Sequence, residues 1–365
     1  MNNTGNILKA AAALVLAIIA GCSTVEYTTG KDTPTETFVR YTLDWEGQTE
    51  VPSELTVAMS RILHTVHFSC LMDSLGTMTS VLRDSTMTPC DTLTGLTMPN
   101  GEYYIIAFSS IPSTCTISGY DSFIYDNAAS MRDILIKADA YTAEEAAGMS
   151  GGQTDFNPTQ GYIKEMGHIW SDIIKANIHP DIDTIVTLTP KPLTQSLTFR
   201  IGIEAEAGVE IEKVEADISG VPPSVQLMTR HISDTLTCRV PFAMERKGAL
   251  GSADYYEGSV CVPGVFPSVD PTYTTGAGIL HIAIDAKADG HRRTFHASIN
   301  LKQQLTDAGV VERTAENDRL YRTGVSEALI ESGTKLKIEE HQIILDGNGQ
   351  GVEVWEEKDD LEFEI

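Results

Sequence analysis

The residues of this chain that could do chemistry lie in a few short stretches. Residues 346–357 read DGNGQGVEVWEE. Asp346, Asn348, Gln350, Gly351 and Glu357 fall on positions 1, 3, 5, 6 and 12 of a calcium-binding loop, where oxygen ligands surround a hard cation. Gln350 stands where Asp or Asn is usual, and both flanks read as strand rather than helix. Asn348-Gly349 is also a tight-turn pair, so the stretch reads first as a hairpin and only weakly as a metal site. His64 and His67, in HTVH, share a face on a helix but point to opposite faces on a strand. HRRTFH gathers His291, Arg292, Arg293 and His296 into a small basic spot that reads as an exposed turn. Asp181 and Asp183 lie among prolines and strand, a poor setting for a catalytic pair. No G-x-S-x-G elbow, phosphate-binding glycine loop or H-E-x-x-H occurs. The expectation is a chain that is not an enzyme and has no cofactor.

A different chemistry is written near the start, where residues 14–26 read LVLAIIAGCSTVE. A polar opening with Lys9 leads into an apolar run from Ala10 to Ala20, too short to cross a bilayer with comfort. The run ends in Ile19-Ala20-Gly21-Cys22. Small side chains suit a peptidase cleft, and the Cys22 sulfur is the nucleophile able to take a diacylglyceryl thioether. Residues 1–21 therefore read as a lipoprotein signal peptide, with Cys22 the lipidated, palmitate-bearing N-terminus of the mature chain. Several acyl chains on one cysteine make a lasting anchor.

The body attached to that anchor is acidic. The whole chain of 365 residues carries 26 basic and 51 acidic side chains, a formal charge of -25. Such a surface repels nucleic acid and anionic headgroups, so no nucleic acid partner is expected. Five cysteines follow Cys22: Cys70, Cys90, Cys115, Cys238 and Cys261. An exported chain permits disulfides, but five is odd and spacing does not settle connectivity. The absence of C-x-x-C removes support for thiol exchange and for a zinc ribbon.

The elements that must position these residues read as strands. A Thr-rich stretch over 22–36 has the composition of a tether. TFVRYTLDWEG at 37–47 alternates, with Val39, Tyr41, Leu43 and Trp45 on one face. ELTVAMSRILHTVHFSC (54–70) and GEYYIIAFSS (101–110) follow as strand regions. A short helix is expected from Thr142, and 159–178 reads as partly helical. The proline-bearing 179–195 separates two pattern blocks, taken as domains 37–184 and 185–365. The second holds SLTFRIGIEAE (196–206), GVEIEKVEADISGVPPSV (208–225) and SDTLTCRVPFAM (233–244). Two long strands over 277–301 join at Ala288-Asp289-Gly290, and a helix-length polar segment lies near 302–318. Turns rich in Pro and Gly between many strands argue an all-β chain of two β-sandwiches. Tyr103, Tyr104, Trp170, Tyr255 and Tyr256 suit either a sugar-binding surface or sandwich core. At the C-terminus, Val352, Val354 and Trp355, then Leu361, Phe363 and Ile365 alternating with Glu362 and Glu364, read as an internal last strand or as one donated to a partner. The acids would resist indiscriminate edge pairing.

The order of these features resembles a known group. A lipobox precedes VRYTLDWEG, then LTMPNGEYYIIAF at 96–108, then PKPLTQSLTFRIGIEAEAGVEIEKVEADISGVPPSV at 190–225. This layout is similar to the fimbrial lipoproteins of Bacteroides-type bacteria, which include anchor and accessory subunits of pili, and ADISGVPPSV is its most specific piece. The resemblance implies two tandem transthyretin-like Greek-key domains with short helical excursions. It also implies lipid attachment to the cell outer membrane, exposure at the surface or within fimbriae, partnership with fimbrial subunits, and adhesion to a host or microbial surface ligand. Shaft subunits of that group lose an N-terminal segment to an arginine- or lysine-directed protease, which makes Lys31 and Arg40 the candidate processing points. The expectation is an anchor or accessory subunit that keeps Cys22 and assembles by strand addition. The alternative is a glycan-binding surface lipoprotein.

Overall fold

A computed structural model describes residues 36–61, 67–83, 86–124, 130–147, 161–180, 184–233, 235–251, 253–288, 290–313, 320–322, 325–339, 342–346 and 352–357. The first half begins with β1 (Glu36–Leu43), β2 (Glu54–Arg61), β3 (His67–Asp73), β4 (Met78–Arg83) and β5 (Thr86–Leu93). It continues through β6 (Gly95–Pro99), β7 (Gly101–Ser109), β8 (Cys115–Ser118), the short helix α1 (Tyr120–Ile124), a 3-10 turn at Met131–Asp133 and β9 (Leu135–Ala138). After α2 (Ala143–Ala147) come β10 (Trp170–Ile178), β11 (Thr184–Leu188) and β12 (Lys191–Pro192). The chain is all-β, as its alternation predicts, and its described helices are short. None of them is long and apolar enough to cross a membrane.

Two sheets form the first body. A three-stranded sheet runs β11-β1-β6, and a seven-stranded sheet runs β12-β10-β7-β2-β3-β4-β5. The alternation of β1 sends Val39 and Tyr41 into the space between them, against Met59, Met72, Met98, Tyr103 and Ile105. The run YYIIAF on β7 does not alternate because the larger sheet is covered on both faces. Tyr103, Ile105 and Ala107 face one core, while Ile106 and Phe108 enter another.

The second half holds β13 (Gln195–Ala205), β14 (Val209–Val221), β15 (Ser224–Gln226), β16 (Cys238–Leu250), β17 (Ala253–Val262), β18 (Ile279–Ala288) and β19 (His291–Asn300). Then follow α3 (Lys302–Asp307), β20 (Val311–Arg313), β21 (Leu320–Arg322), β22 (Glu327–Ile338), β23 (Ile343–Asp346) and β24 (Val352–Glu357). Nine of these strands make one ladder, β23-β22-β13-β17-β16-β14-β18-β19-β24. The long β16 divides it: residues up to Met244 pair with β14, and those from Glu245 pair with β17. The ladder thereby folds into two layers around Phe199, Ile201, Val240, Ile282 and Phe295. The tight turn expected at Asn348-Gly349 lies outside the described residues; of the strands on either side of it, β23 pairs with β22 and β24 pairs with β19. Two consecutive strands are thus first and last in the pairing order of a ladder that folds back on itself, and they lie near each other.

The two bodies share a third core. The β15 strand leaves the second body to pair antiparallel with β9, completing a sheet β15-β9-β8. Val225, Leu227, Ile232 and Phe266 pack there against Phe108, Phe123, Ile134, Met166 and Ile169. Each such side chain contributes on the order of 1.5–3 kcal/mol when fully buried. The partial helix expected over 159–178 is corrected. Residues 170–178 are strand β10, and the preceding segment runs extended along the second body, with Ile163 N–H donating to Arg239 O and Met166 N–H to Cys261 O. The last strand of the first body's sheets is β12 and the first of the second ladder is β13, so the change of sheets falls at 193–194.

Candidate functional site

Those candidate residues that are described lie on several elements rather than in one cleft. Cys22, Lys31, Asn348, Gln350, Leu361, Phe363 and Ile365 lie outside the described residues, as do His64, Asp181 and Asp183. Arg40 is on β1 with its side chain exposed. Its strand is hydrogen-bonded on both sides, with Arg40 opposite Ile185 of the parallel β11 and Gly95 of the antiparallel β6. The neighbours Val39 and Tyr41 are buried. The side chain is thus presented while the peptide bond after it is locked in a ladder. Gly95 is required opposite β1, because a Cβ there would lie 2.1 Å from Val39 O.

Val352, Val354 and Trp355 belong to β24, which pairs with β19 from Thr294 to Ile299. Strand β24 ends the ladder, so its outer edge has no strand partner among the described residues. Asp346 and Glu357, proposed ends of a calcium loop, sit on β23 and β24, and the residues between those strands lie outside the described residues. No group of three or more His, Cys, Asp and Glu among the described residues is placed to hold a metal.

The other stretches resolve into structural roles. His67 packs edge-on against Phe123, with ring centroids 4.5 Å apart. HRRTFH is not a free basic turn but the beginning of β19: Arg292 pairs with Glu212 at 2.8 Å, and His296 is buried. Among the aromatics, Tyr103 and Tyr256 are core. Tyr255 lies under the Arg200 guanidinium at 5.2 Å. Trp170 remains half-buried and lines a groove of about 490 Å³ with Glu50, Ser53, Ser110 and His168.

The described cysteines form no disulfide. Burial pushes the Cys70 thiol up to about 12, helped by neighbouring Cys90, and raises Cys115 to about 11. Tyr41 is raised too, first by burial and then by Cys70, while its hydroxyl donates to the sulfurs of Met59 and Met98.

Sequence reasoning missed the ion pair of Asp217 with Arg239. Burial alone would lower the arginine, but the Asp217 carboxylate outweighs it and holds the guanidinium above its ordinary value. Tyr162 and Asp217 line a cavity of about 200 Å³ with Tyr141, Glu215 and His281. The neutralised pair reads as a joint between elements rather than a reactive centre.

No family model matches the sequence, and no curated protein does. Solved structures match over most of the chain at low identity. A candidate adhesin of Bacteroides ovatus is 9% identical, with a TM-score of 0.47 over 84% of this chain and 89% of that one. A candidate adhesin of Bacteroides thetaiotaomicron is 10% identical, with a TM-score of 0.45 over 86% and 96%. The fimbrial anchor protein Mfa2 of Porphyromonas gingivalis is 12% identical, with a TM-score of 0.39 over 86% and 98%. Likeness at this level carries no weight for what this chain does.

Proposed function

We propose that this chain is a non-enzymatic, surface-exposed lipoprotein acting as an anchor or accessory subunit of a fimbria. Cys22 holds it in the outer membrane, residues 22–36 act as tether, and two transthyretin-like domains form its body. It joins other fimbrial subunits by β-strand addition. The observation that carries this reading is the place of the last described strand. Strand β24 ends a nine-strand ladder with no strand paired to its outer edge among the described residues, and the sequence beyond it repeats the alternation of a strand through Leu361, Phe363 and Ile365. An open edge offers a row of N–H and C=O groups to a neighbour's strand. Such an end suits either receiving a strand beside β24 or exchanging the terminal strand itself.

Mass spectrometry of the protein from native outer membranes tests this reading. A lipidated Cys22 N-terminus in a detergent-stable complex with pilins is the expected result. A lipid-free chain beginning at Asp32 or Tyr41 within a polymer would reassign it as a shaft or tip subunit processed at Lys31 or Arg40. Lipidated protein with no pilin would overturn the fimbrial role.

A further inference from the structure

A groove beside Trp170 is lined by Glu50, Ser53, Ser110 and His168. Its Trp170 is held in place before anything binds. The Trp170 indole N–H donates to Gln48 Oε1 at 2.9 Å, and Gln48 Nε2 donates in turn to Pro190 O at 2.7 Å. The Trp170 backbone N–H donates to Ser109 Oγ at 3.1 Å. A half-buried tryptophan held in this way loses little rotamer freedom when a ligand covers it. The His168 ring stands beside it, centroids 5.8 Å apart and tilted by 34°, so the two rings make a short aromatic wall. The exposed Glu50, Ser53 and Ser110 line the same groove.

An aromatic face next to a carboxylate, an imidazole and hydroxyls matches a pyranose. The sugar's C–H face covers the indole, while the hydroxyls around its edge pair with acceptors and donors at the rim. The volume of about 490 Å³ lies within the range of small-ligand sites. Charge narrows the class. Glu50 in the groove and a net charge of -25 on the chain oppose an anionic sugar. We propose that this groove binds a neutral oligosaccharide, with Trp170 as stacking platform and Glu50 and His168 as hydrogen-bonding partners of ring hydroxyls. The proposal stands whether or not the chain belongs to a fimbria.

Calorimetric titration of the full-length chain, in a non-glycosidic detergent, tests it. The probes are cellotetraose, mannotetraose, β-1,4-galactotetraose and tetra-N-acetylchitotetraose, with tetragalacturonate as the acidic counterpart. The expected result is a dissociation constant of about 1 mM or tighter for at least one neutral probe, and at least about tenfold weaker binding of tetragalacturonate. Trp170→Ala and Glu50→Gln should each weaken the neutral probe about tenfold or more, while Trp170→Phe keeps part of the affinity. Glu50 is exposed, so its variant separates loss of binding from loss of folding. Binding of no neutral probe, tighter binding of tetragalacturonate, or affinity unchanged in Glu50→Gln and in folded Trp170→Ala would each overturn the proposal.

Discussion

Asp217 and Arg239 meet through two charge-assisted hydrogen bonds, Nε to Oδ1 and Nη2 to Oδ2, each 2.6 Å long. Both side chains are 4% exposed. Tyr162, from the segment that approaches from the first body, places its ring 5.2 Å from the guanidinium. The Arg239 backbone exchanges hydrogen bonds with Gly161 and Ile163 of the same segment. The pair therefore fastens β14 to β16 and holds the surface on which the connecting segment lies.

Removing one partner leaves the other charged and buried. Asp217→Ala or Arg239→Ala should lower unfolding stability by about 3–5 kcal/mol. A double replacement by Leu and Met should recover most of that loss. Urea unfolding at constant m-value checks both.

Phe266 reaches from the second half into the core around Phe108 and Phe123. Phe266→Ala should cost about 3–5 kcal/mol, and in a calorimeter it should split the melting of the two bodies into separable transitions. A single unchanged transition would mean that the shared core does not couple them.

Cys70 links stability to alkaline pH. Its folded value is raised to about 12 by burial, whereas an unfolded thiol ionises near about 8.5. Between these values the unfolded chain has released a proton that the folded chain retains, so stability is full below about 8.5 and falls as pH rises toward about 12. Unfolding free energies measured across that window should decline, with a smaller decline in Cys70→Val. At pH 8 a thiol reagent should leave Cys70 and Cys115 unmodified until urea unfolds the chain.

Arg40 should resist an arginine-specific protease in the folded chain. A protease cleft takes an extended segment free of other ladders, and this segment is paired on both sides. Cleavage to a fragment beginning at Tyr41 should be about hundredfold slower than in the urea-unfolded chain, followed by N-terminal sequencing. Comparable rates would show that β1 opens easily.

The strands were legible where one face is buried and the turn is local. Strands β18 and β19 lie on either side of Asp289-Gly290, as the alternation of 277–301 predicts. Ile163, Met166 and Ile169 recur every three residues and mimic a helix, yet all three are buried from an extended segment wedged between two bodies. The Asn-Gly signal at 348–349 could not reveal that the strands on either side of it pair with β22 and with β19. Asp217 falls on the polar side of an alternating strand, and only the tertiary cover by Tyr162 turns that side into an interior. Trp170 was identified by type, but the Gln48 clamp that fixes it is far away in sequence.

The parallel pairing of β1 with β11 also has a mechanical consequence. Tension applied ahead of Glu36 pulls along the axis of β1, so its ladders to β11 and β6 are loaded in shear, with many hydrogen bonds sharing the force. Strand β24, paired with β19 and with no second strand among the described residues, would instead be unzipped one bond at a time by a sideways pull. The molecule thus has a strong grip at its beginning and a releasable one near its end.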